Sequence, residues 1–122
     1  MIGSAAAQTA PAATAARTDE MSVTLAPGEG AEIKLDMKKG AKATFSWTVS
    51  GGVVNHDTHG EPHNDPNATH SYKKGRGLAK DEGVLQAAFD GKHGWFWRNR
   101  SSGKVTVTVK ASGEYASIKR ML

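Results

Sequence analysis

From Ser22 onward the chain is written in short runs of alternating apolar and polar residues, each closed by glycine or another turn former. That period of two is the mark of half-buried strands. Ala31, Ile33, Leu35 and Met37 alternate with Glu32, Lys34 and Asp36, so one strand face is apolar and the other charged. After Lys38-Lys39-Gly40, the residues Ala43, Phe45, Trp47 and Val49 repeat the pattern against Thr44, Ser46, Thr48 and Ser50. Further strands are expected over residues 22–25, 53–59, 84–89, 93–99, 105–109 and 114–118, with turns at Gly51-Gly52, Asp90-Gly91, residues 100–103 and residues 111–113. About eight strands spaced by turn signals predict an all-β domain, an antiparallel β-sandwich or jelly roll. The stretch 60–80, with its Pro, Asn and Gly, reads as a long surface loop. The one place with any helical character is a single turn around residues 78–83.

The first twenty residues break the pattern. They are rich in Ala and Thr, carry Pro11 and have little to place in a core, so they read as a linker, with Met1 to Ser4 as a vector-derived remnant and the folded domain as residues 21–122. A chain of 122 residues supports one such domain. It has no Cys, which excludes a disulfide framework, a Cys-type zinc site and a thiol nucleophile.

Charge adds a second division. The net charge is +4, yet residues 1–72 hold five basic and eight acidic side chains and residues 73–122 hold eleven and four. The excess sits wholly in the second half, and with no recognisable motif it makes poor evidence for a nucleic-acid partner.

Two segments could carry chemistry. Four of the five His lie in NHDTHGEPHNDPNATHSY, residues 55–72, among Asp57, Glu61 and Asp65. Alternate residues of an extended chain share a face, so Asp57, His59 and Glu61 can converge on one ion, with His63 or His70 folding over from the loop and His93 approaching if its strand is a neighbour. Imidazole and carboxylate are ligands for Zn, Cu or Ni. The spacing matches no tight metal template, and a solvated turn-rich loop, with Asp57 and His59 bonding to its backbone, is the competing reading. The other segment is FDGKHGWFWRNRS, residues 89–101, in which Trp95 and Trp97 share one face and Phe96 and Arg98 the other. A stacking platform is conceivable, but a sandwich of this size needs large inward residues, which favours core positions for Trp47, Trp95 and Trp97 with their indole nitrogens satisfied nearby. Asn99 would fix the following turn. No nucleophile elbow, phosphate loop or dinucleotide fingerprint is present, and Asp81 and Glu82, being adjacent on a strand, face opposite ways; the chain therefore reads as a binding or accessory module and not as an enzyme.

The run Asp57-x-His59-Gly60-Glu61, the run Ser71-Tyr72-Lys73-Lys74-Gly75 and above all His93-Gly94-Trp95-Phe96-Trp97-Arg98-Asn99-Arg100 resemble the periplasmic domain of the bacterial proteins labelled transmembrane anchor proteins. The resemblance covers about residues 21–118. It implies a preceding membrane helix absent from this sequence, a place on the periplasmic face of the inner membrane, and envelope or heavy-metal efflux proteins as partners. It assigns no catalytic residue. In outline the last strands are also similar to Golgi-dynamics (GOLD-like) β-sandwich domains. Two functions follow as expectations: transition-metal binding through Asp57, His59, Glu61, His63, His70 and His93, or a scaffold that meets envelope proteins or glycans through the basic, Trp-bearing half.

Overall fold

The computed structural model describes residues 16–121, which form nine antiparallel strands and no helix. In chain order they are β1 (Ala16–Leu25), β2 (Gly30–Met37), β3 (Lys42–Ser50), β4 (Val54–Pro62), β5 (His70–Leu78), β6 (Lys80–Gln86), β7 (Gly91–Asn99), β8 (Val105–Glu114) and β9 (Ser117–Met121). One sheet has the order β9-β2-β7-β4-β5 and the other β1-β8-β3-β6. The expected β-sandwich is the architecture found.

Its core is the apolar half of each alternation. Ile33, Leu35, Trp95, Trp97 and Val54 of the first sheet meet Leu25, Phe45, Trp47, Val107 and Val109 of the second, all buried. Trp47 packs edge-on to Trp97 with ring centroids 6.0 Å apart, and Phe45 tilts against Trp95 at 5.2 Å. Both tryptophans of β7 are wholly buried, so they are core residues, and a surface contact through them is excluded. Their indole nitrogens, and that of Trp47, have no hydrogen-bond partner, contrary to expectation.

The differences from the sequence pattern fall on the edge strands. Residues 70–78, expected within a long loop, form β5, and only residues 63–69 and Ala79 remain irregular. An edge strand pairs through its backbone on one side, and β5 presents Lys73, Lys74 and Arg76 to solvent, a composition that blocks further pairing but erases the apolar alternation. The helical turn expected around residues 78–83 is instead the start of β6, the edge of the second sheet. Lys73 reaches Asp81 at 3.0 Å and ties these two edges together. The turn expected at residues 111–113 is strand, because Gly113 lies in β8 between β1 and β3, where a Cβ would come 2.6 Å from Ala43 Cα. β1 starts at Ala16, so residues 16–20, expected as linker, pair with β8 as strand. The rest of the expected linker, residues 1–15, lies outside the described residues.

Asn99 holds the end of β7 as expected. Its amide donates to the carbonyls of Leu25 and Gly103, and its Oδ1 accepts from Ser101 N at 2.7 Å.

Candidate metal centre

The outer face of the first sheet is set by register. Across β2, β7 and β4 the outward residues line up in rows: Glu32, Phe96 and Asp57; Lys34, Gly94 and His59; Asp36, Lys92 and Glu61. Side chains on β2 and β4 are two strand spacings apart, about 9.5 Å, too far to touch over an ordinary central residue. The middle of the second row is glycine. No side chain larger than hydrogen fits there, since a Cβ at Gly94 would run into the Ile33 carbonyl oxygen and come 2.9 Å from Lys34 Cα. Lys34 and His59 therefore lean over the bare backbone toward each other, and their side chains are only 2% and 7% exposed.

Four charged or titratable groups close over that gap. His59 Nε2 lies 3.1 Å from Glu32 Oε2 and 2.9 Å from Glu61 Oε2. Lys34 Nζ donates to Glu61 Oε1 at 2.6 Å and sits 3.7 Å from Glu32 Oε2. The other ring nitrogen of His59 is 3.2 Å from the Asp57 carbonyl oxygen. A carbonyl only accepts, so Nδ1 carries hydrogen, and in the neutral ring the lone pair of Nε2 faces two carboxylate oxygens. That arrangement needs a cation at Nε2. A proton is favoured there: hydrogen bonding to Glu32 raises the His59 pKa above its ordinary 6.5 against the opposing effect of burial. The same bond, helped by the Lys34 charge, holds Glu32 below the usual carboxylate value of 4.5 although burial pushes it up.

The ligand atoms of Glu32, His59 and Glu61 all lie within 4.8 Å of one another. Zinc takes His nitrogen and carboxylate oxygen at about 2.0–2.2 Å, which puts neighbouring ligand atoms about 3 Å apart. The two Nε2 to carboxylate separations have that value. A His held by an Nδ1–H to backbone carbonyl bond is also the usual way a metal-ligating imidazole is oriented.

Of the six residues expected as ligands, the structure brings His59 and Glu61 together. Asp57 shares their face, but its Oδ1 accepts from Ser71 Oγ and is 3.8 Å from His59 Nδ1, so the residue contributes its backbone carbonyl to the arrangement. His63, just beyond β4, pairs with Asp36 at 3.1 Å and is about half exposed. His70 stands on edge strand β5 against the rings of Tyr72 and Phe89, at 4.8 and 6.1 Å. His93 does lie on a strand neighbouring β4, but its ring is on the inner side of the sheet, the opposite face from His59. Its Nε2 donates to the Phe89 carbonyl at 2.9 Å, which leaves Nδ1 to accept from the Tyr72 hydroxyl at 2.9 Å. Both nitrogens are committed and burial lowers its pKa, so His93 is not part of the centre. Glu32 and Lys34 are the members sequence reasoning missed. The charged face of β2 was visible, but nothing local tied it to residues 27 positions away.

No known family profile matches the chain, and no curated protein does. Solved structures do. The chain is similar to PliG of Aeromonas hydrophila, a periplasmic inhibitor of g-type lysozyme, with 19% identity over 87% of this chain and 91% of that one, at a TM-score of 0.52. Two structures of oxalate oxidase, one holding the substrate analogue glycolate, match at 16% and 15% identity and a TM-score of 0.49, and this chain spans 56% of their length. The first likeness shows the fold. The other two correct the expectation that the chain is not an enzyme, because the matching structures include an enzyme's and missing motifs therefore do not decide the matter; at that TM-score they assign no reaction.

Proposed function

We propose that the domain binds a divalent transition metal, Zn, Cu or Ni, through Glu32, His59 and Glu61, and does so in the bacterial periplasm as a membrane-tethered accessory domain. The observation that carries the reading is the His59 ring, fixed by Asp57 with Nε2 aimed at two carboxylates about 3 Å away. A two-carboxylate, one-imidazole set suits these ions, and the remaining coordination positions would fall to water or a ligand. Lys34 is the group that tunes it. Its ammonium neutralises the carboxylates when no metal is bound and repels an incoming ion, so the centre is one for exchangeable metal and not for a permanent structural ion. The PliG likeness supports a periplasmic setting, and the resemblance to transmembrane anchor proteins adds a tether and heavy-metal efflux proteins as neighbours. Among the described residues no helix is long and apolar enough to cross a membrane, so the tether would precede Ala16.

Calorimetry with Zn(II), Cu(II) and Ni(II) at pH 7.5 tests this. One ion should bind per chain, with release of a proton on the scale of the His59 occupancy. His59→Ala and Glu61→Gln should each weaken binding at least tenfold, while His63→Ala and His93→Gln leave it within a factor of two. Absence of saturable binding, or binding that survives His59→Ala, overturns the proposal.

A further inference from the structure

The side of the sandwich closed by edge strands β5 and β6 has polar groups on its inner lining that find no partner. Register sets which residues share that lining: His56 opposite Gly75 and Thr58 opposite Lys73 in the first sheet, Trp47 opposite Asp81 and Phe45 opposite Gly83 in the second. His56 is 4% exposed and Thr58 3%, yet neither ring nitrogen of His56 nor the Thr58 hydroxyl has a hydrogen-bond partner. Oδ2 of Asp81 is buried and unpartnered as well. Such groups are costly to leave unpaired, so four of them on one lining call for a state in which they pair.

The seam over them is lightly held. β5 pairs only with β4, and Gly75 and Gly83 put no side chain across the gap. Among the described residues, two side-chain contacts bridge it. Lys73 Nζ reaches Asp81 Oδ1 at 3.0 Å, and the Tyr72 hydroxyl accepts from Ala88 N, just past β6, at 3.0 Å. The stretch between Tyr72 and the Ala79 corner therefore rests on the Lys73–Asp81 pair, whose lysine side chain is 57% exposed.

Three charged groups face His56: Asp81 from β6, Lys73 from β5 and Asp57 from its own strand. From β3 and β7 it meets Trp47, edge-on with ring centroids 5.2 Å apart, and Trp97, its register partner. Burial lowers the His56 pKa below the ordinary 6.5; Asp81 works against this, Lys73 adds to it and Asp57 opposes it. The ring is thus neutral at neutral pH, with Asp81 turned to Lys73.

We infer that His56, Asp81 and Lys73 form an acid-operated latch between the two sheets, in which a proton on His56 draws the Asp81 carboxylate off Lys73 and releases β5 from β6. A neutral imidazole has one N–H and one lone pair, whereas the charged ring has two N–H donors. Asp81 Oδ2 accepts one, and Thr58 Oγ1, two residues along the same inward face, accepts the other. Charging the ring so turns four unpartnered atoms into two hydrogen bonds, one of them between opposite charges. Lys73 gives up its pair to water at little loss, because it is already more than half exposed. An imidazolium left beside Trp47 with Asp81 still turned away would be an uncompensated buried charge, which drives the exchange.

Amide hydrogen exchange of the full chain, read by NMR and corrected for its intrinsic pH dependence, tests the latch. Between pH 7.5 and 5.0 the protection of residues 73–77 should fall at least tenfold, in step with titration of the His56 ring, while that of β2, β7 and β8 changes less than twofold. Lys73→Met, an exposed change, should loosen residues 73–77 already at pH 7.5 and raise the His56 midpoint, since the lysine charge is one of the forces lowering it. Asp81→Asn should lower that midpoint. His56→Phe should keep residues 73–77 protected at pH 5.0, and if that variant does not fold, the two midpoint shifts decide. His59→Gln should leave the response in place, which separates the latch from the metal centre. Protection unchanged at pH 5.0, a fall that persists in His56→Phe or vanishes in His59→Gln, or a His56 midpoint insensitive to both Lys73→Met and Asp81→Asn overturns the inference.

Discussion

Lys34→Met separates a metal centre from a plain ion-pair cluster, because it acts in opposite directions on the two states of the protein. Without metal, the substitution removes the ammonium that lies 2.6 Å from Glu61 and 3.7 Å from Glu32. Breaking a fully buried pair costs about 3–5 kcal/mol, but the Glu32 and Glu61 side chains are 32% and 24% exposed, and Met preserves the apolar stem, so about 1–2 kcal/mol is expected. For a domain of this size that is a fall in Tm of roughly 5–15 °C. With metal the sign changes. Two unit charges about 4 Å apart interact by about 4 kcal/mol at an effective dielectric of about 20, and a divalent ion doubles this. Water at the open side and the freedom of the ammonium to swing away reduce the repulsion relieved to about 2 kcal/mol, which is roughly 30-fold in affinity.

Melting curves by circular dichroism, with and without Zn(II), together with calorimetric titration, read both effects. The variant should melt lower than the wild type alone and gain more from zinc, and Lys34→Arg, which keeps the charge, should behave as the wild type. The His59 pKa followed by NMR should also rise in Lys34→Met, since the lysine charge is one of the forces lowering it. Zinc affinity that is unchanged or weaker in Lys34→Met would refute the reasoning, because the ion would then not lie within reach of the ammonium.

Three further outcomes follow from the same geometry. The raised His59 pKa contributes stability that is full below its unfolded value of about 6.5 and is lost as pH rises through the folded one, while lowered Glu32 contributes above about 4.5 and loses it as pH falls through its own folded value. The stability difference between wild type and His59→Gln, from urea denaturation, should thus be largest between about pH 4.5 and 6.5 and shrink above; a difference that grows above pH 7 contradicts it. His56 and His93 have lowered values and act the other way, stabilising above about 6.5, but they cancel in that comparison. Asn99→Ala removes three hydrogen bonds from a fully buried amide and should cost about 3 kcal/mol, measured as a shifted urea midpoint at unchanged slope; a cost under about 1 kcal/mol would mean that the turn holds itself. Gly94→Ala meets backbone with nothing flexible to give way and should cost at least about 3 kcal/mol, whereas Gly60→Ala meets the His93 ring, whose displacement disturbs its bonds to Tyr72 and Phe89 but no strand pairing, and should cost less, a ranking that thermal melts can reverse or uphold.

The sandwich was readable wherever a strand has one buried face. In β2, β3 and β7 the alternation 31-33-35-37, 43-45-47 and 95-97 is the core itself. It failed at β5 and at the start of β6, where the sheet edge selects Lys, Arg and Gly over apolar residues, so the local signal is that of a loop. The metal centre was half legible for a related reason. His59 and Glu61 lie on one strand, and period two puts them on one face; Glu32 and Lys34 reach them only because β2 and β4 flank β7, and strand order is a long-range property that spacing does not encode. His93 illustrates the converse. It was near in the sense that β7 adjoins β4, yet parity places it on the inner face, where Tyr72 and Phe89 take both nitrogens.

Strand order also changes the meaning of the net charge. The acidic first half supplies β2 and β4, the basic second half supplies β5 and β7, and the sheet interleaves them as β2-β7-β4-β5. Charge that is separated along the sequence by halves is thereby separated again along the strand direction of one face, with Glu32 and Glu61 over Gly94 and Arg98 and Arg100 beyond Phe96. Glycine acts at two points in this sheet. At Gly94 the missing side chain lets two distant strands close over the sheet and trap a titratable ring between carboxylates, and at Gly75 it makes room for the inward His56 ring packed against Trp47. Gly75 serves packing alone, whereas Gly94 gives up a side chain so that Glu32, Lys34, His59 and Glu61 can meet, an exchange for which a fold that needed only stability would have no use.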